Sequence, residues 1–186
     1  MMTATLDPQQ EAILAQALGA PLYTSRWYTP AYALDAEGEW KLEHCPFHLE
    51  HGYFSGLWAV SGMPLLMHRT ADADGWEVWM SLTPHEIESQ ELACLHAHGH
   101  TVVMGLGMGW VAANIALNPA VDKVTVIERD PQVIALLDRS GALDGLAPDI
   151  RAKLHIVLAD ALEWQPEEAV DFLYVDIWRD LDEPQV

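Results

Sequence analysis

Apolar and polar positions change rhythm twice along this chain. In DPQQEAILAQALG (7–19) the apolar residues are spaced as on a short helix, with Asp7 placed to cap it, Pro8 at its first position and Gly19 after its last apolar residue. Across 20–80 the pattern breaks into short runs punctuated by turn signals such as Glu37-Gly38 and Asp74-Gly75. PLLMH (64–68) and WEVWM (76–80) predict two strands joined across TADADG as a hairpin. Residues 1–82 are therefore expected to hold an N-terminal helix and a small β-rich domain.

Thr83-Pro84 opens a second helix, HEIESQELACLHAHG, with Ile87, Leu92 and Leu95 as its apolar stripe and Gly99 closing it. Strand and helix patterns alternate from there. TVVMG (101–105), KVTVIE (123–128), KLHIVL (153–158) and VDFLYVD (170–176) read as strands. GWVAANIALN (109–118) reads as a helix stopped by Asn118-Pro119, and PQVIALLD (131–138) as a helix capped by Asp130. Near-continuous Val/Ile/Leu strands between helices predict an α/β fold over 83–186: a Rossmann-like parallel sheet with helices on both faces. Ten residues follow VDFLYVD, so the sheet is expected to be incomplete after its fourth strand. That apolar edge would need cover from a further element or from a second subunit, as in a homodimer.

The strand-to-helix turn at VVMGLGMGWVAANIALN (102–118) carries Gly105, Gly107 and Gly109. Backbone N–H groups at a helix N-terminus favour an anionic or polar ligand, and glycines let it come close. A dinucleotide turn needs G-x-G-x-x-G, and the third small position is here the bulky Trp110, which argues against NAD. Glu128 ends the second strand, 23 positions after Gly105, where a carboxylate accepts hydrogen bonds from both hydroxyls of a ribose.

Taken in order, VVMGLGMGW, VTVIERD, LADA and VDFLYVD resemble motifs I to IV of the class I S-adenosylmethionine-dependent methyltransferase superfamily, over about residues 83–180. VIERD and the lack of an acid at Val103 are most similar to the spermidine/spermine synthase branch. The resemblance implies S-adenosylmethionine as cofactor. Gly105, Leu106, Gly107, Met108 and Gly109 would surround its methionine and ribose portion, Glu128 with Arg129 would hold the ribose, and Asp160 with Ala161 would meet the adenine amino group. Asp176 would face the acceptor as catalytic base or amine anchor. That branch has an acid in the glycine loop where this chain has Met108, and two aspartates three apart where this chain has Asp176 and Asp180, four apart. A carboxylate must reach its proton at hydrogen-bond distance, so the shift weakens the case for aminopropyl transfer. A small-molecule methyltransferase is the leading expectation. Aminopropyl transfer to a polyamine from the decarboxylated cofactor is the second, and a non-catalytic binding or assembly module that keeps the fold is the third.

Charge bears on the partner. With 28 acidic against 9 basic residues the chain carries −19, a field that repels phosphate backbones and anionic headgroups and attracts a cationic amine. The partner is accordingly expected to be a small molecule, with neither nucleic acid nor membrane. Five of the eight tryptophans lie in the N-terminal region, as core or as an aromatic box for a cation. No apolar run approaches the ~20 residues of a spanning helix. Without a secretory pattern at the N-terminus, and with only Cys45 and Cys94, a soluble protein of the reducing cytoplasm is expected. EHCPFHLEH (43–51) gathers His44, Cys45, His48 and His51 but lacks a second distant ligand cluster, so no metal site is expected. LHAHGH (95–100) places imidazoles around a helix end, where they would oppose its dipole.

Overall fold

The computed structural model describes residues 7–71 and 75–178. Helix α1 (Pro8–Ala17) begins as its sequence dictates. The Asp7 carboxylate accepts the Gln9 and Gln10 N–H groups at 2.9 Å, and the Gln10 side chain accepts the Asp7 N–H at 3.0 Å. Six strands follow: β1 (Ala36–Glu37), β2 (Trp40–His44), β3 (His48–His51), β4 (Leu57–Val60), β5 (Pro64–Arg69) and β6 (Trp76–Ser81). An antiparallel sheet runs β1-β2-β5-β6, and β3 with β4 forms a separate hairpin. The hairpin expected from PLLMH and WEVWM is β5–β6; Asp74, in its turn, lies outside the described residues.

Helix α2 (Pro84–His96) is rotated relative to the expected stripe. Ile87 is buried, but Leu92 and Leu95 are 64% and 53% exposed, and the packed face consists of Ile87, Gln90, Ala93 and Cys94. Asn118 sets this rotation by donating from Nδ2 to the Cys94 and Ala97 carbonyls at 3.1 and 3.0 Å. The histidines are also placed differently from expectation. His96 alone ends the helix, while His100 lies in β7 (Gly99–Met104) with Nδ1 against the Ala169 carbonyl at 2.8 Å and Nε2 against the Thr125 hydroxyl at 2.9 Å. A carbonyl needs a donor, so Nδ1 carries a proton toward Ala169.

The remaining elements are α3 (Trp110–Leu117), β8 (Val121–Glu128), α4 (Pro131–Arg139), the short α5 (Pro148–Arg151), β9 (Leu154–Leu158) and β10 (Phe172–Val175). They form a Rossmann-like parallel sheet in the order β10-β7-β8-β9. Strand order reverses between β7 and β10, and in open α/β sheets that switch point is where ligands enter. Val103, Val124, Val126 and Leu154 share one face and join a core with Ile87, Trp110, Ile115 and Leu136, so α2, α3 and α4 all serve that face. On the opposite face Val102 and Ile127 are buried and Leu173 is exposed. Strand β10 is the edge, paired among the described residues with β7 alone.

The N-terminal sheet does not stand apart. Trp40, Leu42, Leu66 and Leu82 belong to the same core as Val103, Leu106, Met108 and Trp110. The segment before β1 straps across α3, where buried Asn114 accepts the Tyr28 N–H at 3.1 Å and donates to the Tyr28 carbonyl at 2.9 Å. The Tyr32 hydroxyl donates to the Met108 carbonyl at 2.7 Å. Replacing Asn114 by Ala strands the half-buried Tyr28 backbone groups. The expected cost is about 1–3 kcal/mol in urea-induced unfolding, with amide exchange at Tyr28 accelerating first.

Candidate functional site

Two backbones cross closely where β7 and β10 end. The Asp176 N–H donates to the Met104 carbonyl at 2.8 Å, and a Cβ at Gly105 would overlap the Asp176 carbonyl oxygen. Gly105 also has a φ of +98°, so both space and conformation require glycine. Gly109, with a φ of +72°, caps α3, and a Cβ there would press on Leu137 at 3.0 Å. Gly109 thus serves packing against α4 and does not line the cavity. Trp110, where a dinucleotide turn needs a small residue, is 1% exposed and packs edge-on against Trp27 at 6.0 Å.

Glu128 is tied to this turn. One carboxylate oxygen accepts the Leu106 N–H at 3.0 Å and the other accepts the Asp130 N–H at 2.9 Å. The side chain is therefore fixed, with lone pairs left for hydroxyl donors. It borders a cavity of 440 Å³ at the carboxyl ends of the strands, within the range of about 300–1,000 Å³ typical of ligand pockets. Of the residues singled out in the sequence, Gly105, Leu106, Gly107, Met108, Glu128, Arg129, Asp160, Ala161 and Asp176 all line this one cavity. Asp160 is held at its mouth by the Leu162 N–H at 2.9 Å. Met108 is itself packed in the core, so the turn presents a thioether and no carboxylate. Asp180, the second aspartate of the expected pair, lies outside the described residues.

Part of the opposite wall comes from the N-terminal sheet. Trp40 donates from Nε1 to Asp130 at 2.7 Å and meets Trp79 edge-on at 5.3 Å, with His68 at 4.5 Å. Met80 sits so close over Gly107 that any side chain there would displace it. The N-terminal tryptophans do not form one box. Trp40 and Trp79 line the cavity, Trp27 packs on Trp110, Trp58 on Tyr23, and Trp76 lies beneath Lys41 and Arg69.

Sequence reasoning missed Glu86 and Gln90. Glu86 lines the cavity beside Asp176 and Tyr174, and Gln90 Nε2 donates to Glu86 at 2.7 Å and to Asp176 at 3.2 Å. The available signal was a pair of polar residues four apart on α2, flanking Ile87 on its buried face. Away from the cavity, His48 is held between the Pro46 carbonyl at 2.9 Å and Glu50 at 3.2 Å, and Cys45 and Cys94 are buried free thiols. Among the described residues no three His, Cys, Asp or Glu side chains are grouped to hold a metal ion, and no helix is long and apolar enough to cross a membrane.

No family model matches the chain. It is 42% identical over 60 residues to the ribosomal RNA small subunit methyltransferase J of Laribacter hongkongensis, a stretch covering 29% of this chain and 21% of that protein. The chain therefore spans about a fifth of the length of this curated relative. Among solved structures it is similar to the glycopeptide N-methyltransferase MtfA, at 19% identity over 47% of this chain and 40% of that one, TM-score 0.39. It is also similar to a putative RNA methyltransferase, PH1948 from Pyrococcus horikoshii, at 19% identity over 51% and 46% of the two chains, TM-score 0.38. No similarity found separates out the spermidine/spermine synthase branch. The relative named for ribosomal RNA overturns the expectation of no nucleic acid. Net charge sets only the far field of a chain, whereas RNA is gripped by local cations, stacking surfaces and shape, so a total of −19 is no bar.

The electrostatics of the site set a pH dependence. Burial, with Asp176 and then Glu50 nearby, pushes the Glu86 carboxyl from 4.5 up to about 7. Burial also raises Asp176, while the Tyr174 hydroxyl pulls it the other way. A carboxyl raised by folding contributes stability that is intact below its unfolded value and lost as pH rises through the folded one. The Glu86 contribution should therefore fade between pH 4.5 and about 7. Glu86→Gln should flatten this part of the stability curve and raise Tm at pH 8, by roughly 2–4 °C per kcal/mol recovered, as calorimetry across that range would read.

Proposed function

We propose that this chain binds S-adenosylmethionine in the cavity and serves methyl transfer to RNA. The observation that carries the reading is the Glu128 carboxylate, fixed by the Leu106 and Asp130 N–H groups and set beside a turn that any Cβ at Gly105 would obstruct. This arrangement suits a ribose and the polar chain attached to it. Gly105, Leu106 and Gly107 would hold the methionine portion, Glu128 with Arg129 the ribose, and Asp160 with Ala161 the adenine amino group. Bound there, the cofactor supplies a methyl carbon made electrophilic by its sulfonium. Asp176, at the switch point between β7 and β10, would take the acceptor's proton or hold its donor group. The division at 82/83 then separates a segment that closes the cavity from one that carries the turn. Methyl transfer is favoured over aminopropyl transfer because Met108 leaves the turn without a carboxylate. RNA is favoured as acceptor by the 42% identity to a ribosomal RNA methyltransferase.

Calorimetric titration with S-adenosylmethionine and S-adenosylhomocysteine should show binding to both. Glu128→Ala and Asp160→Ala should each weaken it about 10–100-fold, the worth of a hydrogen bond to a charged group. Unchanged affinity in both variants would mean that the cofactor is misplaced. With methyl-labelled cofactor, label is expected in small-subunit ribosomal RNA and not in polyamines, and the reverse pattern would sink the RNA reading.

A further inference from the structure

The end of the cavity beyond the glycine turn contains a group of side chains that cofactor binding does not use. Glu86 on α2 and Asp176 after β10 both face it, and Gln90 bridges them through one amide nitrogen at 2.7 and 3.2 Å. Gln90 is 2% exposed, and its Oε1 has no hydrogen-bond partner among the described residues. A buried amide that gives both its N–H groups to two carboxylates and leaves its oxygen unsatisfied points to a site whose full set of partners includes a ligand. No Lys or Arg pairs with either carboxylate among the described residues. The groups around them are Tyr174 on β10, Cys94 and Gln90 on α2, and Glu50 on β3, none of them cationic. Two carboxylates so placed, desolvated and without a counter-cation, cannot both stay ionised at low cost.

We propose that Glu86 is a positioning residue for Asp176: the two carboxylates, both accepting from Gln90, carry one proton in total, and the ionised Asp176 receives the proton of the acceptor. In that step the acceptor's N–H or O–H bond breaks, its electron pair stays on the nitrogen or oxygen, and the pair goes from one bound proton to two. Only the acceptor's role rests on the transferase reading; the shared proton does not. Gln90 fixes the direction of the Asp176 carboxylate, and a base must be oriented in this way to meet the proton it takes. Burial raises both groups, and at Glu86 the charges of Asp176 and Glu50 add to it.

The test is a carbon-13 NMR titration of the side-chain carboxyls in the intact chain. Glu86 and Asp176 should titrate as a coupled pair with one midpoint near neutrality. Glu86→Gln should lower the Asp176 midpoint, and Asp176→Asn should lower that of Glu86, each by roughly one pH unit or more. Glu86→Asp should retain the coupling, which a purely structural role of the side chain would not require. Two independent midpoints in the ordinary carboxylate range, or a Glu86 midpoint unmoved in Asp176→Asn, would overturn the proposal. Titration with S-adenosylhomocysteine separates the two readings. Coupled carboxyls without cofactor binding would end the transferase reading and keep the shared proton, and binding with uncoupled carboxyls would do the opposite.

Discussion

Where β7 and β10 leave the sheet, their backbones approach until no Cβ fits between Gly105 and the Asp176 carbonyl oxygen. Much of the site follows from this contact. It brings the end of the edge strand against the glycine turn, so that Asp176 and Glu128, more than forty residues apart, share one cavity. It also aligns the start of the turn so that the Leu106 N–H meets Glu128 at 3.0 Å. A bulkier residue at 105 would separate the strand ends and, with them, the two carboxylates.

The second requirement is a wall opposite the sheet, and the N-terminal segment supplies part of it. Trp40 binds Asp130 through its ring N–H, and Met80 rests over Gly107. The same segment straps α3 through Tyr28 and Asn114 and anchors the turn through Tyr32 and Met108. A hydrophobic core that runs without a break from Trp40 and Leu66 to Val103 and Ile115 explains why these contacts hold their geometry. The cavity is therefore built between two sheets that share one core.

Legibility in the sequence followed the range of the interaction. Helix caps at Asp7 and Asp130, the strand–glycine–helix order and the acid at the end of β8 depend on residues a few positions apart, and all were readable. The bulk of Trp110 at the third glycine position, which argues against a dinucleotide turn, was readable for the same reason. The rotation of α2 was not, because it is set by Asn118, which lies 24 positions beyond Cys94. Glu86 looked like an ordinary acid in the first turn of a helix, and only the packing of α2 against the β10 end turns it toward Asp176. His100 shows the same limit: its ring is committed to Thr125 and Ala169, partners no local pattern reveals.

The acidity of the chain misled because charge was counted without asking what the carboxylates do. Many of them accept backbone N–H groups: Asp7 at the start of α1, Glu88 beneath the Phe54–Ser55 turn, Glu128 at the glycine turn, Asp130 at α4, Asp160 at the cavity mouth and Asp171 beside β7. Such a group keeps its charge, but its oxygens are directed at peptide dipoles of opposite sense and it acts first as a structural acceptor. Glu86 and Asp176 are a separate class, desolvated and lacking backbone donors, and their excess charge lies within the cavity. The −19 total thus sums carboxylates that shape loops with carboxylates that face the cavity. Glu128 and Asp160 belong to the first class and Glu86 and Asp176 to the second, yet all four line the cavity, so a net charge carries no information on how the site meets a ligand.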